Sequence, residues 1–94
     1  MIEVKRLGDG AALRFEVVVR ETGSESRHTV TLDPREWQRL TAGHYTPEQF
    51  LRSAFAFLLD REPKESILRH FDVSVISQYF PEFEMELPRY LDQP

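Results

Sequence analysis

Metal ligation by side chains in this sequence would have to come chiefly from three histidines and sixteen carboxylates, because it contains no cysteine. His28, His44 and His70 do not lie within metal-ligand spacing of one another, so the pattern of a zinc site is missing. His70-Phe71-Asp72 brings one imidazole and one carboxylate together, which leaves a tetrahedral site half empty. Its simpler role is a helix-end histidine on the C-terminal dipole, followed by an N-capping aspartate. His28 is aimed inwards beside Val30 by strand alternation, where it reaches the sheet's open end or satisfies a backbone group. His44-Tyr45 reads as a loop. Among the carboxylates, Glu62 and Glu65 flank Pro63-Lys64, and Glu82, Glu84 and Glu86 stand at two-residue spacing. In an extended segment those last three would point one way and draw a cation or a basic partner. In a helix they fan out as a solvated face, the simpler reading. General acid–base catalysis needs a carboxyl group whose surroundings shift its pKa, and no sequence context here predicts one. Phosphate-binding loops, a nucleophile elbow and an H-E-x-x-H pair are also missing. The sequence therefore predicts no catalytic residue, no cofactor and no metal site.

The elements that must position these groups are legible in part. Ile2, Val4 and Leu7 form a first strand, closed by the turn Gly8-Asp9-Gly10. Leu13, Phe15, Val17 and Val19 alternate with Arg14, Glu16, Val18 and Arg20, the pattern of a half-buried antiparallel strand. A polar loop over 21–25 leads to a strand from Arg27 to Leu32, with His28, Val30 and Leu32 inside. Asp33-Pro34-Arg35-Glu36 starts a short helix that stops at Gly43, and Thr46-Pro47-Glu48-Gln49 starts a second running to about Asp60. The second is apolar on most sides, so it is buried centrally or has one face on the sheet and another on more helix or a partner. Pro63 forces a break, and a third helix is expected from Pro63 to about His70, with Glu65 and Arg69 as an i, i+4 pair. Asp72 caps a fourth over Val73–Phe80. Residues 81–90 fit both strand and helix periods; a short helix from Pro81 ending near Leu87 is preferred, because Pro88 opposes a longer one. The prediction is a single α+β domain over 1–94. A three-stranded antiparallel meander (1–32) is covered on one face by four or five short helices (33–91), and residues 92–94 fray.

Ninety-four residues allow one modest core, and the net charge of −4 is uneven. Residues 1–40 carry seven basic and seven acidic side chains, while residues 41–94 carry five and nine. An acidic C-terminal half disfavours phosphate-backbone binding. No apolar stretch is long enough for a bilayer span or placed as a signal peptide, so a cytoplasmic protein without a membrane partner is expected. Ten of the eleven aromatics follow residue 36, more than a three-stranded sheet can cover. The surplus predicts an apolar surface for self-association, as a homodimer, or for a protein partner, with Phe57, Tyr79, Phe80, Phe83 and Met85 as its residues.

A different reading takes residues 65–80 as helix–turn–helix-like, with Ser74, Ser77 and Gln78 on base edges. That second helix has no Lys or Arg, so nucleic acid is the lesser expectation. An enzyme with a site near His28 comes third. Residues 61–68, with Phe71–Ser77 and Tyr79–Glu84, resemble a family of small uncharacterised bacterial proteins, best over 46–84. The resemblance implies a bacterial, cytosolic, free-standing protein and brings no activity or site residue with it. The function expected first is a non-enzymatic protein-interaction or regulatory module.

Overall fold

Turns and alternating apolar residues fold the first third of the chain into two hairpins. In the computed structural model, which describes residues 1–92, β1 (Ile2–Asp9) pairs antiparallel with β2 (Leu13–Glu21), and β2 with β3 (Ser24–Leu32). Gly23, at φ +79°, takes the left-handed turn that lets Glu21 face Ser24, so the expected loop over 21–25 shrinks to its tip. The β1–β2 register runs from Ile2 opposite Val19 to Arg6 opposite Phe15, then slips at Leu7 in a bulge.

The expected three-stranded antiparallel sheet is corrected by a fourth strand. β4 (His70–Asp72) lies parallel to β3, with Val30 opposite Phe71, and the sheet is mixed in the order β1-β2-β3-β4. The helix expected over 63–70 does not form. A 3-10 turn (Lys64–Ser66) precedes the strand, Lys64 rather than Arg69 pairs with Glu65, and the segment 33–91 is not wholly helical. The physical reason is the open edge of β3. Its outward backbone groups need partners, and Thr29 N–H donates to the Arg69 carbonyl (2.7 Å) while Val73 N–H donates to the Thr31 carbonyl (2.9 Å). A parallel pairing requires a long crossover, which α1 (Pro34–Thr41) and α2 (Pro47–Leu59) supply.

Both of those helices start at the predicted caps. The Asp33 side chain accepts from Arg35 N–H at 2.8 Å. Thr46 and Gln49 form a complete capping box, with bonds of 3.0 and 2.8 Å. α3 (Ser74–Tyr79) is short, and α4 (Phe83–Leu91) resolves the ambiguity of 81–90 in favour of helix. α4 runs past Leu87 and keeps Pro88 inside it. Tyr90 anchors that last turn: its hydroxyl donates to Asp60 (2.5 Å) and its ring meets Phe57 edge-on at 5.8 Å. Of the tail expected to fray, Asp92 accepts a hydrogen bond from the Tyr45 hydroxyl (2.7 Å), and residues 93 and 94 lie outside the described residues.

The core has one layer of sheet and two of helix. Phe15, Val17, Val19, Val30 and Leu32 form the buried sheet face, and α2 packs Phe50, Leu51, Ala54 and Phe55 into the same core. The other side of α2 is closed by α4, where Phe57 sits 5.0 Å from Phe83 in an edge-to-face contact. That second helical layer is why α2 is apolar almost all round. On the sheet's outer face Val18 is buried too, among the ion pairs Arg20–Glu3, Arg20–Glu25 and Arg27–Glu16. Among the described residues, no helix is long and apolar enough to cross a membrane.

Candidate functional site

The segment that breaks the predicted helix also builds the site. Leaving α2, the chain carries Glu62 into Pro63, turns through Lys64–Ser66, and runs Ile67 and Leu68 along the open side of β3 before joining β4. A pocket of about 230 Å³ lies between this loop, the end of α2 and α3. Leu58, Ile67, Phe71 and Ile76 form its apolar floor, while Leu68 and Tyr79 stand at its mouth, 48% and 67% exposed. Glu62, Ser66 and Tyr79 are the lining residues that carry polar side-chain groups.

Glu62 is the informative one. Burial alone pushes its carboxyl pKa above the usual value. Among the described residues its carboxylate has no hydrogen-bond or ion-pair partner, while its N–H donates to the Leu58 carbonyl (2.9 Å). The cations beside it in sequence are committed elsewhere. Arg61 lies over the Phe57 ring at 3.6 Å and bonds Glu82 at 3.0 Å. Lys64 is buried between Glu21 (3.0 Å) and Glu65. An apolar pocket with one unpaired, partly desolvated carboxylate is arranged to receive a hydrogen-bond donor or a cation that brings apolar surface with it.

His28 holds the pocket's wall in place. Its ring is 2% exposed and lies against Phe55, with centroids 5.3 Å apart. Nδ1–H donates to the Leu68 carbonyl at 2.7 Å, since a carbonyl only accepts. That assignment leaves Nε2 to accept from the Ser26 hydroxyl, 2.8 Å away. Burial lowers its pKa and Arg69 adds to this, against the opposing effect of the Leu68 bond, so the neutral ring is favoured. Both nitrogens are engaged within the fold. His28 is therefore a positioning residue for Leu68, and the enzyme site near it that was the third reading would find neither ring nitrogen free.

The predicted interaction residues separate. Phe57 and Phe83, 0% and 1% exposed, are core and cannot form a surface, because α4 covers the flank of α2 that was expected to lie open. Tyr79 and Phe80 do line the pocket. Met85 is exposed on α4, outside the pocket lining. Ser74 and Gln78 are exposed on α3 and Ser77 is half-buried. The first helix of the expected helix–turn–helix is replaced by the 3-10 turn and β4. His44 and His70 are exposed.

Glu82, Glu84 and Glu86 each pair with a different arginine, Arg61, Arg39 and Arg89, instead of forming a row. Among the described residues, no group of three or more His, Asp or Glu is placed to hold a metal ion. Sequence reasoning missed Glu62, Ser66, Ile67 and Leu68 as a site. One signal was present: Glu62 follows an apolar helix with Leu58 and Ser66 four residues to either side, so no cation stands at helical spacing.

No family model matches the chain, and neither a curated protein nor a solved structure does. Function has to be argued from the site itself.

Proposed function

We propose that this chain is a non-enzymatic protein-interaction module of the bacterial cytoplasm, and that its pocket captures an apolar anchor residue of a partner protein. The carrying observation is the pairing of an apolar pocket with an unpartnered carboxylate at Glu62. A pocket of about 230 Å³ suits one or two side chains; drug-sized ligands occupy roughly 300–1,000 Å³. Leu68 and Tyr79, exposed beside it, supply apolar area that an arriving partner would cover. Glu62 selects an anchor followed by Lys or Arg, whose charge replaces the solvation the carboxylate has lost. Binding is favoured over catalysis because, among the described residues, Glu62 makes no hydrogen bond to Ser66 or Tyr79 that would join it to a second reacting group.

The test is an amide chemical-shift titration with a capped Leu–Arg peptide, using capped Leu–Glu as control. Shifts confined to Ile67, Leu68, Val75, Tyr79 and their neighbours, several-fold weaker with Leu–Glu and in Glu62→Gln, support the reading. Absent shifts, or equal responses to both peptides, overturn it.

A further inference from the structure

The opposite edge of the sheet carries a separate feature. β1 has a hydrogen-bonding neighbour on one side only. Met1 and Arg20 exchange two backbone bonds, Arg20 N–H to the Met1 carbonyl (2.8 Å) and the Met1 nitrogen to the Arg20 carbonyl (2.7 Å). Antiparallel ladders alternate, so Glu3–Val18 and Lys5–Glu16 are the next hydrogen-bonded pairs of the register. Ile2, Val4 and Arg6 must then turn their N–H and C=O groups outwards. The far side of the sheet gives the same phase. Thr29 donates to Arg69 in the direction of β4, so Glu16, opposite Thr29, faces β1. Among the described residues, nothing bonds the outward groups of Ile2, Val4 and Arg6.

We propose that this edge pairs with a second copy of the chain, antiparallel about a two-fold axis at Val4, to make one continuous sheet across a homodimer. The side chains select that register. Centring on Val4 puts Ile2 opposite Arg6 and Val4 opposite Val4. It also places Glu3 of each copy opposite Lys5 of the other, at a non-hydrogen-bonded position where side chains approach most closely. Moving the axis to Glu3 sets Glu3 against Glu3, and moving it to Lys5 sets Lys5 against Lys5. Lys5 has no carboxylate partner within the described residues, whereas Glu3 already pairs with Arg20. The bulge at Leu7 ends the regular edge after Arg6, so the usable stretch is the five residues centred on Val4. No proline interrupts it. Lys5 and the bulge guard this edge against indiscriminate pairing, and an isologous strand pair satisfies its outward groups in one register.

The full chain, examined by sedimentation velocity across a concentration series, decides the matter. Wild type should sediment as a dimer. Lys5→Glu and Glu3→Lys should each weaken the dimer roughly tenfold or more, because two attractive pairs become repulsive. The double exchange Glu3→Lys/Lys5→Glu should restore it. Val4→Pro should give a folded monomer, since the lost N–H points away from β2; if that variant does not fold, the charge-exchange series stands alone. A wild type that stays monomeric at high concentration overturns the proposal, as does a dimer indifferent to the charge exchanges. Leu68 and Tyr79 line a pocket on the β4 side of the sheet, so Leu68→Ala and Tyr79→Ala should leave the dimer intact. Failure of the dimer is thus separable from failure of the pocket.

Discussion

The two flanks of α2 are built from similar residues and finished differently. On one flank Phe57 meets Phe83, Phe80 and Tyr90 edge-on, and Arg61 lies over its other face. On the other flank Leu58, Ile67, Phe71 and Ile76 surround a pocket with Leu68 and Tyr79 exposed at its rim. The first flank is closed by the nine-residue α4; the second is walled by the turn at 64–66 and the six-residue α3, which leave a pocket between them. A surplus of aromatics in a sequence therefore does not locate a surface. What decides is whether the chain has another element left to lay over them, and α4 is spent on the first flank.

The sharpest way to break this contrast is to truncate one residue on each side. Phe57→Ala should cost about 3–5 kcal/mol in denaturant unfolding, from a buried ring with three aromatic neighbours. Tyr79→Ala should stay within about 0.5 kcal/mol of wild type, as an exposed position does. A comparable loss at both positions would mean that the pocket side is closed in solution.

His28→Ala should come next, at roughly 1–3 kcal/mol, because it strands the Leu68 carbonyl and the Ser26 hydroxyl. It should also change the pH profile. The folded pKa of His28 lies below 6.5, so the unfolded chain binds the proton more readily. Wild-type stability should fall as pH drops from about 6.5 towards that lowered value, and this part of the acid limb should be missing in the variant.

Thr31→Val should cost roughly 1–2 kcal/mol by removing the 2.6 Å bond from the Thr31 hydroxyl to Asp72. Hydrogen exchange should speed up at Val73 N–H, which bonds the Thr31 carbonyl, and not at residues facing α4. Glu62→Gln should have the smallest effect and the opposite sign. The raised folded pKa of Glu62 favours the native state most at low pH, and that advantage is lost as pH rises from about 4.5 through the folded value. The glutamine variant should be modestly more stable at neutral pH, with a flatter dependence above pH 4.5. Titrations followed by denaturant melts would show either outcome.

Where the signal was local, the sequence could be read. Alternation placed β2, Asp33 and Thr46 marked helix starts, and His28 faced inwards as its strand required. β4 could not be read, because three residues have no periodicity of their own. His70–Asp72 becomes extended because Thr29 and Thr31 offer its flanking residues Arg69 and Val73 backbone partners some forty positions away. Residues 81–90 were ambiguous for the same reason: Pro88 argues against helix locally, while Tyr90 finds Phe57 and Asp60 only in the tertiary fold. Glu62 escaped because its shifted pKa comes from residues gathered around it by β4 and α3, which neighbouring sequence does not reveal.

The β3–β4 pairing also sets an order of events in time. Thr31 and Asp72 are 41 residues apart, whereas the two hairpins close over a few residues each. Local closures are fast and long loops slow. β4, a three-residue edge strand paired with β3 alone, therefore needs a longer chain closure than either hairpin. Its amides should therefore exchange sooner than those of β2, which is paired on both sides.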